Sequence, residues 1–190
     1  KGKAFDVIFD KLVPDTNYVV YTYHINLDNG QASTGDVYRE IIRTASPDMV
    51  NDALEMSLDM NGATITQNIT TKEADTYFYT AHMSVNDFKI YFGGDAQPET
   101  TFVDRWNQQT SMWLNMGYYP SQIIEEWCLQ GSQSIVCNDL EAETEYYFYA
   151  FAIDPETAFV ASPIILEKVT TESIQQSGMT INIEVKDIYA

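Results

Sequence analysis

The apolar positions of this chain fall mostly in steps of two. Leu54, Met56, Leu58 and Met60 alternate with polar residues, and after Asn61-Gly62 so do Ala63, Ile65 and Ile69. Such alternation predicts strands with one buried and one wet face, and Asn-Gly predicts the turn of a hairpin. Two later stretches differ, because residues 77–83 and 145–153 are apolar at nearly every position. In the second, Tyr146, Phe148, Ala150 and Ala152 fall on one side and Tyr147, Tyr149, Phe151 and Ile153 on the other. A strand patterned this way has to be covered on both faces. Further strand patterns run over 5–9, 17–27, 37–44, 134–137 and 162–169. They are punctuated by Pro14-Asp15, Asp28-Asn29-Gly30, Ser46-Pro47-Asp48 and a turn at 72–75.

Between about residues 100 and 131 the period changes from strand to helix. Thr101 and Asp104 have the spacing of a capping box, and Phe102, Trp106, Gln109 and Trp113 recur at helical intervals. Pro120-Ser121 opens a second helix whose Ile123, Ile124, Trp127 and Cys128 share a face, and Gly131 is a natural stop. These two helices are predicted to lie on the outer face of the sheet that holds 77–83 and 145–153. Counting gives seven strands with a helical insertion, a mostly β sandwich.

The chain repeats itself. Leu12, Thr16 and Tyr18 return as Leu140, Thr144 and Tyr146 at an offset of 128, and Thr44 and Ser46 return as Thr171 and Ser173 at 127. The alternation of Leu54, Met56 and Leu58 returns in Ile181, Ile183 and Val185. A period this long means whole domains in tandem rather than a solenoid. Residues 1–46 then read as the last strands of a partial unit and 47–173 as a complete unit. Residues 174–190 read as the first strand of a following unit, or as a strand that completes the 1–46 unit. The expectation is a piece of a longer protein whose open edges are completed by a neighbouring chain or by each other.

Leu12-x-Pro14-x-Thr16-x-Tyr18 and Leu140-x-Ala142-x-Thr144-x-Tyr146 resemble the E-to-F corner of fibronectin type III domains, with Ala142 in place of the proline. Residues 42–44 and 169–171 are similar to the family's last strand and exit. The resemblance covers most of the chain outside about 85–131. It implies an immunoglobulin-like sandwich in which Tyr18 and Tyr146 form structural tyrosine corners. Two departures stand out. The usual strand B tryptophan is missing from 63–70, and the unit is about a third longer than an ordinary member. The acidic, aromatic-rich tandem pattern also resembles surface lipoproteins and secreted proteins of gut Bacteroidetes.

Charge narrows the function. With 28 acidic and 10 basic residues the net charge is −18, which argues against nucleic acid and against anionic membrane surfaces. It suits an extracellular, cell-surface or periplasmic setting. No apolar run reaches the length of a membrane span. The opening Lys1-Gly-Lys-Ala-Phe5 carries no export signal, so one is expected upstream or already removed.

The reactive residues do not converge. Cys128 and Cys137 would form one bridge if their Cα atoms came within about 7 Å; their number and spacing favour two buried thiols. Neither cysteine has the histidines of a zinc site nearby. His24 and His82 sit in strand patterns without triad partners. Glu125 and Glu126 are adjacent on a helix and so do not face one site. Asp59-Met-Asn61-Gly62 lacks the glutamate of a calcium loop, and Gly93-Gly94-Asp95 lacks the lysine of a phosphate loop. Asn68-Ile-Thr70 is a sequon of the kind that arises by chance. No catalytic residue, cofactor or metal is therefore expected.

The aromatic set Trp106, Trp113, Tyr118, Tyr119 and Trp127 is the one site-like feature. The helical members read as core. Tyr118 and Tyr119, in the loop between the helices, are placed to stack on sugar rings. The expected function is a non-catalytic spacer, adhesion or protein-interaction module. The alternatives are a carbohydrate-binding module, and an accessory domain of a secreted polysaccharide-degrading enzyme. The partner is then a protein or a glycan.

Overall fold

The structure, a computed structural model, describes residues 6–28 and 31–173. Strands β1 (Asn17–Asp28) and β2 (Gln31–Arg43) pair antiparallel as a two-stranded ribbon. Its register shifts between Tyr23 and Ile25. There the His24 ring lies so close over Gly35 that a Cβ on that glycine would meet it at 2.1 Å. Only the bare backbone of glycine admits the ring.

The rest of the chain builds two antiparallel sheets and a helical layer. After β3 (Leu54–Asn61), β4 (Thr64–Thr71) and β5 (Tyr77–Ser84) come α1 (Val85–Phe92), α2 (Pro98–Asn115) and α3 (Pro120–Trp127). Then follow β6 (Leu129–Gln130), β7 (Gln133–Cys137), β8 (Glu145–Ile153) and β9 (Ile165–Thr170). One sheet has the order β3-β4-β7 and the other β6-β5-β8-β9.

Strand β8 sits at the centre of the packing, as its doubly apolar pattern requires. Phe148, Ala150 and Ala152 face the first sheet, meeting Leu54, Ile65 and Ile69 together with Phe78 of β5. Tyr149, Phe151 and Ile153 point the other way, into Phe88, Phe102, Trp106, Leu114 and Ile123 of the helices. The Phe102 ring lies flat on Tyr149, with centroids 4.0 Å apart and planes 9° from parallel. Each phenylalanine so buried contributes about 1.5–3 kcal/mol. The insertion is therefore a structural wall for the sheet.

Several boundaries differ from those the pattern suggests. Residues 6–10 form no strand. Asn61 pairs with Thr64, so the hairpin loop is Gly62-Ala63, and Gly62 takes the positive φ of 64°. Helix α2 starts at Pro98, placing Thr101 inside the helix; proline in the first turn loses no hydrogen bond. Its deepest residues are Phe102, Trp106, Thr110 and Leu114, with Gln109 and Trp113 half-buried. Helix α3 ends at Trp127, and Gly131 falls in the bend after β6 instead, at φ 67°. Ser162 precedes the last strand, its Oγ accepting the Ala152 N–H at 2.8 Å. Helix α1 was not foreseen in the pattern. It is capped by Ser84, whose Oγ accepts the Asp87 N–H at 3.0 Å.

The Asn29-Gly30 turn and the strand expected in 174–190 lie outside the described residues. Among the described residues no helix is long and apolar enough to cross a membrane.

Candidate functional site

The link from α2 to α3 shapes a cleft. Gly117 turns the chain at φ 97°, and Pro120 starts α3 while the Tyr119 N–H donates to Gln122 Oε1 at 2.8 Å. Between the two helices opens a cleft of about 730 Å³ lined by Trp113, Tyr118, Gln122, Ile123, Glu125, Glu126 and Trp127. The Trp113 and Trp127 indoles stack at 5.5 Å and 16°, and Trp127 is 50% exposed. Flat apolar rings thus stand beside two carboxylates and a carboxamide, which accept hydrogen bonds. That combination can stack against an apolar ring face while taking hydrogen bonds from hydroxyls at its rim.

The aromatic residues singled out in the sequence divide three ways. Trp113 and Tyr118 line the cleft. Trp106 does not belong to it: it is 4% exposed, packs at 4.4 Å on Tyr79, and donates its Nε1–H to Ala158 O at 2.9 Å. Tyr119 is half-exposed outside the cleft lining, with the Lys11 ammonium 3.5 Å from its ring centre. That ammonium also donates to Gly117 O at 2.9 Å. Its attraction to the ring face is a cation–π contact.

Gln122, Glu125 and Glu126 were missed as a group. They are spaced three and four apart on α3, and that spacing sets both carboxylates beside the amide although adjacent glutamates diverge from one another.

The remaining reactive groups are taken up in packing. The cysteines are free thiols in different clusters, Cys128 against the helical layer and Cys137 between the sheets. Burial pushes the Cys128 thiol up to about 12, and burial followed by the nearby Asp139 charge raises that of Cys137. The His82 ring stacks on Phe148 at 5.2 Å. Asn68 of the sequon donates to Asp59 Oδ2 at 2.8 Å and accepts from Ser134 Oγ at 2.6 Å. Among the described residues no group of histidine, cysteine and carboxylate side chains is placed to hold a metal.

The repeated motif folds twice into the same corner. The Val13 N–H donates to Tyr18 Oη at 2.8 Å, and the Glu141 N–H to Tyr146 Oη at 3.0 Å. The Thr16 and Thr144 hydroxyls donate to the carbonyls of Pro14 and Ala142, each at 2.9 Å. The Thr44 and Thr171 hydroxyls donate to Val13 O and Glu141 O, at 2.7 and 2.6 Å. Their oxygens accept the Thr16 and Thr144 amides, both at 3.0 Å. Asp15 and Glu143 share the left-handed backbone, at φ 51° and 53°. In these bonds position 14 or 142 supplies only its carbonyl, so alanine serves as well as proline. No protein-family model and no curated protein matches the chain.

Proposed function

We propose that the chain is a non-catalytic extracellular or cell-surface module, built of fibronectin type III-like sandwich units in tandem, and that it serves as an adhesion or protein-interaction domain. The observation that supports this reading most is the doubled corner. Seven backbone and hydroxyl groups repeat the same bonds about 128 residues apart, once on a covered sandwich and once on a two-stranded ribbon. Tandem copies of one rigid unit suit a stalk or a binding array. An antibody raised against residues 47–173 and applied to intact source cells is expected to label them. Labelling only after the cells are broken open would overturn the reading.

A second reading has its own support in the α2–α3 cleft, where Trp113, Tyr118 and Trp127 stand beside Gln122, Glu125 and Glu126. This arrangement suits a neutral sugar. On a glycan array the chain would then bind a polysaccharide, and Tyr118→Ala, at a half-exposed loop residue, would abolish the signal without changing the melting temperature. An array on which every glycan is blank removes this reading.

A further inference from the structure

The geometry points to the free edge of β1 as a strand-accepting site whose partner is a sister unit of the same repeat, supplying a strand of the β5 kind followed by an amphipathic helix. The inference rests on the interaction-module reading and names the partner.

The repeat makes β1 the counterpart of β8 and β2 the counterpart of β9. In the covered copy β9 is an outer strand, so β2 lacks nothing on its far side. β8, however, is paired on its other edge with β5, from Tyr77 opposite Ile153 to Ser84 opposite Tyr146. Shifted by 128, those two positions are Ile25 and Tyr18, and among the described residues that edge of β1 has no strand beside it.

The faces show the same gap. Tyr149, Phe151 and Ile153 are 7%, 0% and 3% exposed, whereas their counterparts Tyr21, Tyr23 and Ile25 are 63%, 49% and 59% exposed. Ile41 and Val37 of β2, on the same face, are 69% and 60% exposed. A two-stranded ribbon so apolar is a template for pairing. Charge does not oppose it, since residues 17–43 hold three acidic and two basic side chains in a chain of net charge −18. In the covered copy β5 lies along the edge of β8, and α1, α2 and α3 cover the face. An intact second copy has those elements already engaged by its own β8, so the fitting partner is a sister unit in which they are free.

The test uses the whole chain and a synthetic peptide of its own residues 75–92, which carries β5 and α1. Saturable binding is expected, with slowed hydrogen exchange at the amides of Val19, Tyr21 and Tyr23, which point away from β2, and none gained at 145–153. A peptide with Ala81→Pro, which loses a strand donor, is expected to bind at least about tenfold more weakly. No binding, or equal binding of the proline peptide, overturns the proposal. Protection of the outward-facing amides of Val19, Tyr21 and Tyr23 without peptide also overturns it: protection that rises with protein concentration assigns the edge to a second copy, and protection independent of concentration assigns it to the chain's own residues. Cell-surface labelling reports on the module reading separately, so either can fail alone.

Discussion

Trp106 decides whether the helical insertion is a wall of the core or a platform for ligands. Its indole is 4% exposed, within 6.0 Å of Phe151 and 4.4 Å of Tyr79 between ring centres, and its N–H is bonded to Ala158 O. Trp106→Ala removes that contact and opens a large cavity, a loss of about 3–5 kcal/mol. Trp106→Phe keeps most of the packing and gives up the hydrogen bond. The Ala158 carbonyl then retains only the Thr110 hydroxyl at 3.4 Å, so the cost is about 1–2 kcal/mol. For a chain of this size the alanine variant should melt roughly 6–20 °C lower and the phenylalanine variant roughly 2–8 °C lower. Urea unfolding followed by far-UV circular dichroism gives both values from midpoints at constant slope. An alanine variant within about 1 kcal/mol of the parent would refute the packing argument, because no fully enclosed tryptophan is lost so cheaply.

Tyr146→Phe strips the Glu141 N–H of its partner and should cost about 1–2 kcal/mol in urea melts, whereas Tyr18→Phe, on the ribbon, should leave the main transition in place. Gly131→Ala forces a side chain into the left-handed region with its Cβ 3.0 Å from Ala74 O, and should cost about 1–3 kcal/mol by the same melts. Iodoacetamide at pH 8 should label Cys128 far more slowly in the folded chain than in urea. Its thiol is pushed to about 12 when folded and lies near 8.5 when unfolded, so stability also falls as pH rises through that window.

The strands were legible because burial on one face or two writes itself directly into the period. Residues 145–153 announced both of their covers. The repeat announced the corner, since threonine and tyrosine at fixed offsets from a turn have a mechanical role wherever they recur. Helix α1 was hidden because its eight residues follow β5 without a break. The signal was Ser84 with Asp87 three residues on, a cap that a reading for long periodic helices passes over. The deeper stripe of α2 was misjudged for a related reason: Thr110 is polar, yet its small side chain lies fully buried between Trp106 and Leu114, while the larger Trp113 turns toward the cleft.

The cleft was harder to read than the fold because the same residue types serve both. A tryptophan at helical spacing has one appearance in sequence whether it fills the core, as Trp106 does, or stacks half in water, as Trp127 does against Trp113. What separates them is the register of the helix against the sheet, and that is fixed by partners far away, Ala158 and Phe151 for Trp106. Gln122 is held by the cap of α3 and Glu125 and Glu126 are exposed, so nothing in their local sequence distinguishes a binding rim from a solvated face. Internal repetition supplies some of what a single copy lacks. Comparing Tyr21 with Tyr149, or Ile25 with Ile153, gives one strand in two surroundings, and the difference in exposure marks the face that no described element covers.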